Sequence, residues 1–329
     1  MTRRPLLLVA LVVALLAASL AVVVLVLRPR PAEVALGSCV RLAPGEARAT
    51  CIVSSMLAAD AVGHLLERHE ELLGMVALEP SLHDDCHLAL HRVGITVVDS
   101  PDEVPGLLSG LRSPLCAWGL GHGLFEGFGS FDALPAQWRS LAAVCESFLA
   151  EGATVAALCG DGFGHALWDA TLSQRSSMDG CASLQGVSLQ SSCAGGVMMQ
   201  QLRPADGSRA PRRDLPANEV LALCTGDPAM KQGWFIGGCL SGAGYVLVQN
   251  LVEDSFAASG SLKDAAEGLL LADAACRALP SRVFDGVTLP DLCFASLVSN
   301  FSPVLRSPDG SFRELCARLE HPERCSPGK

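Results

Sequence analysis

Two stretches of the chain are near copies of each other. Cys116-Ala-Trp-Gly-Leu-Gly-His122-Gly-Leu-Phe-Glu126 is answered by Cys159-Gly-Asp-Gly-Phe-Gly-His165-Ala-Leu-Trp-Asp169. Each places a histidine after a cysteine and a glycine-rich run, then a carboxylate four residues beyond the histidine. Copies of a segment within one chain build copies of one structural unit, and such units stack on their neighbours. The pairs His122/Glu126 and His165/Asp169 are therefore expected side by side.

Related segments begin at Cys86, Cys193, Cys239 and Cys293, with small residues early and an apolar run later. Successive starts lie 30, 43, 34, 46 and 54 residues apart, the length of a helical hairpin repeated imperfectly. Between them run amphipathic helical patterns. Leu134, Trp138, Leu141, Cys145 and Phe148 recur in steps of three and four, as do Leu262, Ala266, Leu269, Asp273 and Cys276. Residues 51–78 carry a longer pattern of the same kind, and proline-rich breakers separate the segments. Glycine is a poor interior helix residue, but it serves where helices crowd together. With only 5% aromatic and 18% charged residues, the composition favours closely packed helices over a β-sandwich. The expected fold is all-α: repeated αα hairpins, glycine-rich inner helices alternating with amphipathic outer ones, in an open solenoid or a closed α/α toroid.

All 14 cysteines lie beyond residue 38, and no Cys-x-x-Cys occurs, which removes zinc ribbons and thioredoxin-like motifs. Pairing neighbours in sequence gives Cys39–Cys51, Cys86–Cys116, Cys145–Cys159, Cys181–Cys193, Cys224–Cys239, Cys276–Cys293 and Cys316–Cys325. Apart from Cys86–Cys116, the loops are between 9 and 17 residues long. Each such bridge would staple the end of one helix to the start of the next, contributing about 3 kcal/mol in the chain-entropy account.

The N-terminus places Arg3 and Arg4 before an uncharged run from Leu6 to Leu27, 22 residues long, which would span about 30 Å as a helix. The run is longer than the apolar region of a cleavable signal peptide and ends in Arg28-Pro-Arg30-Pro. The expected organisation is a signal-anchor over 1–28, a proline-rich linker over 29–44 and an extracytoplasmic helical domain over 45–329. Leu36-Gly-Ser-Cys39 lies too far past the apolar run to be a lipoprotein box. A formal charge of -10 without a basic stripe excludes nucleic acid as partner. Arg203 to Arg213 reads as a solvated loop.

Gly-x-Gly-His122-Gly resembles the Gly-x-x-His-Gly helices of lanthionine-cyclase-type α/α toroids. Their Trp-Cys-Tyr-Gly and Cys-His-Gly zinc motifs are missing here, so the resemblance implies architecture and not activity. Cys86-His87-x-x-x-His91-x-x-Gly94, combined with Cys-x-x-Gly-x-Gly-His, is similar to uncharacterised membrane-anchored bacterial Cys/His αα-repeat proteins. That likeness covers most of the exported region and implies no reaction.

Seven of the eight histidines fall between residues 64 and 165. His87 and His91 form His-x-x-x-His, a spacing that lets two imidazoles grip one ion. With His122 and His165 from adjacent inner helices they would make a site of three or four nitrogens. Glu126 and Asp169 would serve as ligands, outer partners or general base. The expected cofactor is a transition metal ion: zinc, iron, copper or manganese. Zinc would activate water for hydrolysis; iron or copper would activate oxygen. The competing reading is a scaffold whose concave glycine-rich face holds a peptide, glycan or protein, with the histidines structural. His64 and His69, in a charged run, are expected on a solvated face, and Met198-Met199 as core filling. His83 is an open case beside Asp84 and Asp85, and His321 is incidental. Asn300-Phe-Ser302 fits a glycosylation sequon. No Gly-x-Ser-x-Gly elbow, P-loop or dinucleotide fingerprint is present.

Overall fold

The computed structural model describes residues 36–58, 62–202, 216–225, 233–259, 270, 272–284 and 286–295. The expected anchor over 6–27, the loop 203–213, Asn300, His321 and the pair Cys316–Cys325 lie outside the described residues. So do the side chains of His83 and Asp84. Among the described residues no helix is long and apolar enough to cross a membrane.

The described chain is nearly all helix. A short helix α1 (Leu36–Val40) leads into α2 (Glu46–Leu57) and α3 (Val62–Leu78). Inner helices then alternate with outer ones. The inner set is α4 (His83–Thr96), α6 (Gly119–Gly129), α8 (Ala153–Thr171), α10 (Val187–Gln201) and α12 (Gly233–Ser259). The outer set is α5 (Val104–Ser109), α7 (Pro135–Ser147), α9 (Gln174–Ala182) and α11 (Ala217–Thr225). An antiparallel pair, β1 (Val283–Phe284) and β2 (Val287–Thr288), turns at Gly286.

The inner helices pack in sequence order, each on the next, with α2 ahead of α4. Among the described residues no comparable contact joins α12 back to α2 or α4, so the row is open there. Neighbouring inner helices run parallel. Gly119 abuts His87, Gly123 abuts His91 and Gly127 abuts Ile95 and Val98, so both chains advance in the same direction. Gly160 and Gly164 meet Leu189 and Cys193 likewise, and Gly238 and Gly242 meet Ser191 and Gly195. Parallel neighbours follow from the hairpin repeat, because the outer helix between them carries the chain back.

Glycine is what lets these helices touch backbone to backbone. A Cβ on Gly123 would lie 2.1 Å from the His91 carbonyl oxygen, and one on Gly242 2.1 Å from the Gly195 oxygen. No side chain fits there, so propensity yields to packing. The glycines that were expected to line an open concave face are buried in helix–helix contacts.

Among the described residues six disulfides join neighbours in sequence: Cys39–Cys51, Cys86–Cys116, Cys145–Cys159, Cys181–Cys193, Cys224–Cys239 and Cys276–Cys293. Three of them tie the late part of an outer helix (α7, α9, α11) to the following inner helix. The inner helices, however, open at Ala153, Val187 and Gly233, more than a turn before Cys159, Cys193 and Cys239. The expected linker also ends earlier than position 44. Leu36 is buried, and Cys39 is bonded to α2.

His69 departs from the expectation of a solvated face. It is 3% exposed on α3, on the buried stripe of Leu65, Leu72, Leu73 and Val76. His64, one position before that stripe, is exposed. Met198 is fully buried in the core, as expected.

Candidate metal centre

Three inner helices supply the site. α4 follows a 3-10 turn over Pro80–Leu82 and packs on Cys86, Ala89, Leu90 and Val93. This leaves His87 and His91 one turn apart, facing α6. α6 starts abruptly. Cys116 and Trp118 take left-handed backbone angles (φ 55° and 58°), unusual for residues with side chains, and aim the chain straight into the helix. The turn is held by the Cys86–Cys116 bridge and by the Trp118 indole, which donates to the Leu111 carbonyl. α6 carries His122 and Glu126; α8 carries Asp161 and His165.

The carboxylates and imidazoles form a continuous chain. His91 Nε2 lies 3.3 Å from Glu126 Oε1, and the same oxygen lies 3.1 Å from His165 Nδ1. On the far side of the His165 ring, Nε2 lies 3.7 Å from Asp161 Oδ2, and that oxygen lies 3.3 Å from His122 Nε2. His87 stands beside both His91 and His122, at ring-centroid distances of 5.7 Å and 5.9 Å. The His122 and His165 rings stack at 5.4 Å. The four expected histidines thus gather in one place.

These groups are arranged in two tiers. His87, His122 and Asp161 make one, and His91, Glu126 and His165 make the other. On each helix the second member stands four residues after the first. Because the three helices run parallel, one turn along each gives the same displacement.

His91, His122 and His165 are buried, at 5%, 6% and 2% exposure. Burial pushes the His122 imidazolium well below its ordinary pKa. His165, His87 and His91 push it the same way, against a weaker pull from Glu126. These influences favour the neutral imidazole of His122. The buried Nε2 atoms of His122 and His165 make no hydrogen bond. His87 donates its Nδ1–H to the Cys116 carbonyl at 2.8 Å. A carbonyl only accepts, so Nε2 holds the lone pair. Trp118 closes one wall, edge-on to His122 at 6.1 Å.

The structure revises one carboxylate. Asp169 accepts two hydrogen bonds from Gln200 Nε2, at 2.9 and 3.1 Å. The acid that meets His122 and His165 is Asp161. Aligning the two copies hid it, because Asp161 falls opposite Trp118. The signal lay in the spacing: Asp161 precedes His165 by four, as His87 precedes His91 and His122 precedes Glu126.

The donor atoms of His91, Glu126 and His165 all lie within 4.8 Å of one another, close enough to hold one ion. Donors about 2.0–2.2 Å from a tetrahedral ion stand roughly 3.4 Å apart, which the 3.1 and 3.3 Å contacts match. Comparison with protein-family models, curated proteins and solved structures finds no match.

Proposed function

We propose that the chain is an extracytoplasmic metal-binding protein, its ion held by His91 Nε2, Glu126 Oε1 and His165 Nδ1. The observation that carries this reading is the closeness of those three atoms in a buried cluster of imidazoles. Two imidazoles and one carboxylate form a donor set used by catalytic zinc and by non-haem iron, and both leave coordination positions open. Manganese and copper also accept these donors. When bound, such an ion supplies Lewis acidity or oxygen chemistry, which fits a hydrolase or an oxidase. The protein's share is orientation: Asp161 stands 3.7 Å from the far nitrogen of His165, and Trp118 keeps water from one side.

The six disulfides fit an oxidising compartment. The sequence-based reading of a single-pass anchor at the N-terminus agrees with that location. The rival scaffold reading loses its motive, because the glycines expected to form its binding face are spent on helix packing.

The test is elemental analysis of the full chain, produced in an oxidising compartment and purified without chelator. Bound transition metal in the wild type, lost in folded His91→Ala and Glu126→Ala, supports the reading. No metal after reconstitution overturns it and leaves a disulfide-stapled helical domain with structural histidines.

A further inference from the structure

We propose that the centre is dinuclear, with a second ion held by His87, His122 and Asp161 one helical turn from the first. This rests on the metal reading of His91, Glu126 and His165 and extends it.

The first ion takes one residue from each of α4, α6 and α8. Stepping back four residues on each helix gives His87, His122 and Asp161. That is again two imidazoles and a carboxylate. Three parallel helices repeating one donor composition in two successive turns set a second group of donors about 6 Å away along the helices, though among the described residues only His91, Glu126 and His165 already bring three donor atoms within 4.8 Å of one another. A structural role for these residues would not require donor atoms on all three helices at both levels.

The second tier is also built for a ligand. His122 is 6% exposed, its Nε2 makes no hydrogen bond, and that atom lies 3.3 Å from Asp161 Oδ2. His87 is prepared in the manner of a metal-binding histidine. Its Nδ1–H is taken by the Cys116 carbonyl, which sets the ring angle and places the lone pair on Nε2. The 5.9 Å between the His87 and His122 centroids suits two imidazoles sharing one ion, for which roughly 5 to 6 Å is expected.

His165 links the tiers. Its Nδ1 faces Glu126 and its Nε2 faces Asp161. A neutral imidazole carries one N–H and so cannot donate to two carboxylates at once. With the Nδ1 lone pair directed to the first ion, Nε2 carries the proton and faces Asp161 between the two tiers. Two divalent ions against two carboxylates leave positive charge in a buried site. The ligand or substrate expected there is anionic, a carboxylate or a phosphate ester.

Cobalt(II) titration of the metal-free full chain, followed by its visible absorption, separates the cases, with elemental analysis on the same samples. A break at two equivalents, falling to one in Asp161→Ala and in His122→Ala, is expected. Glu126→Ala should remove the other ion. A break at one equivalent in the wild type overturns the second site and keeps the first, with Asp161 then an outer partner of His165. Should Asp161→Ala fail to fold, the wild-type break still decides, and Asp161→Asn gives the milder variant. No cobalt bound at all overturns the metal reading itself and the second ion with it.

Discussion

Gly123 has no room for even a methyl group. A Cβ there would lie 2.1 Å from the His91 carbonyl oxygen and 2.9 Å from the Gly94 Cα, both backbone. Gly123→Ala must prise α4 from α6. The expected cost is at least the ~1–3 kcal/mol of ordinary overpacking, read as a lower thermal midpoint, together with weaker metal retention. Gly74→Ala is the control. It sits on α3 with nothing within 4 Å and should gain about 0.5–1 kcal/mol from helix propensity. His69 supplies a pH effect away from the metal site. Burial lowers its pKa from 6.5, and neighbouring Glu70 opposes this only in part. The folded state then binds fewer protons than the unfolded state, so stability is present above about pH 6.5 and declines as pH falls below it. Urea midpoints at pH 7.5 and 5.5 should differ less in His69→Met than in the wild type. The position of His69 was legible from its helical partners Leu65 and Leu72 and was masked by its charged sequence neighbours. Asp161 was legible by the same rule of four.

Between elements, the most consequential polar contact is the clamp of α2 on α4. Arg48, 2% exposed, binds Asp85 through Nε at 2.5 Å and the Ser81 carbonyl through a second nitrogen. Asp85 also accepts the Gly45 backbone N–H. Arg48→Ala would strand a buried carboxylate, and about 3–5 kcal/mol of destabilisation is expected by chemical denaturation. Arg48→Lys should recover part of it. The alternation of outer and inner helices could be read from periodicity and from the cysteine-led segments. The inner helix starts could not. Glycine and alanine before Cys159, Val187-Ser-Leu before Cys193 and Gly233-Trp-Phe before Cys239 carry weak local signals. Their helicity is imposed by packing on parallel neighbours.

For the molecule as a whole, covalent bridges and bound metal should act together. A ligand that binds only the folded state stabilises it by about 2.7 kcal/mol at a concentration of 100 Kd. Chelation of the oxidised protein should therefore lower the melting midpoint without unfolding it. Reduction should lower the midpoint further, because each short-range bridge restricts the unfolded chain. One bridge has a further consequence. Gly119, Gly123 and Gly127 recur every turn of α6, so the groove against α4 looks nearly the same after a slip of one turn. Such a slip would set His122 beside His91's place and carry Glu126 opposite Ile95, where no imidazole waits. Cys86–Cys116 ties the head of α4 to the head of α6 and forbids it. The bond works as an index pin: it selects, among near-equivalent seatings of two smooth helices, the one in which the donors line up.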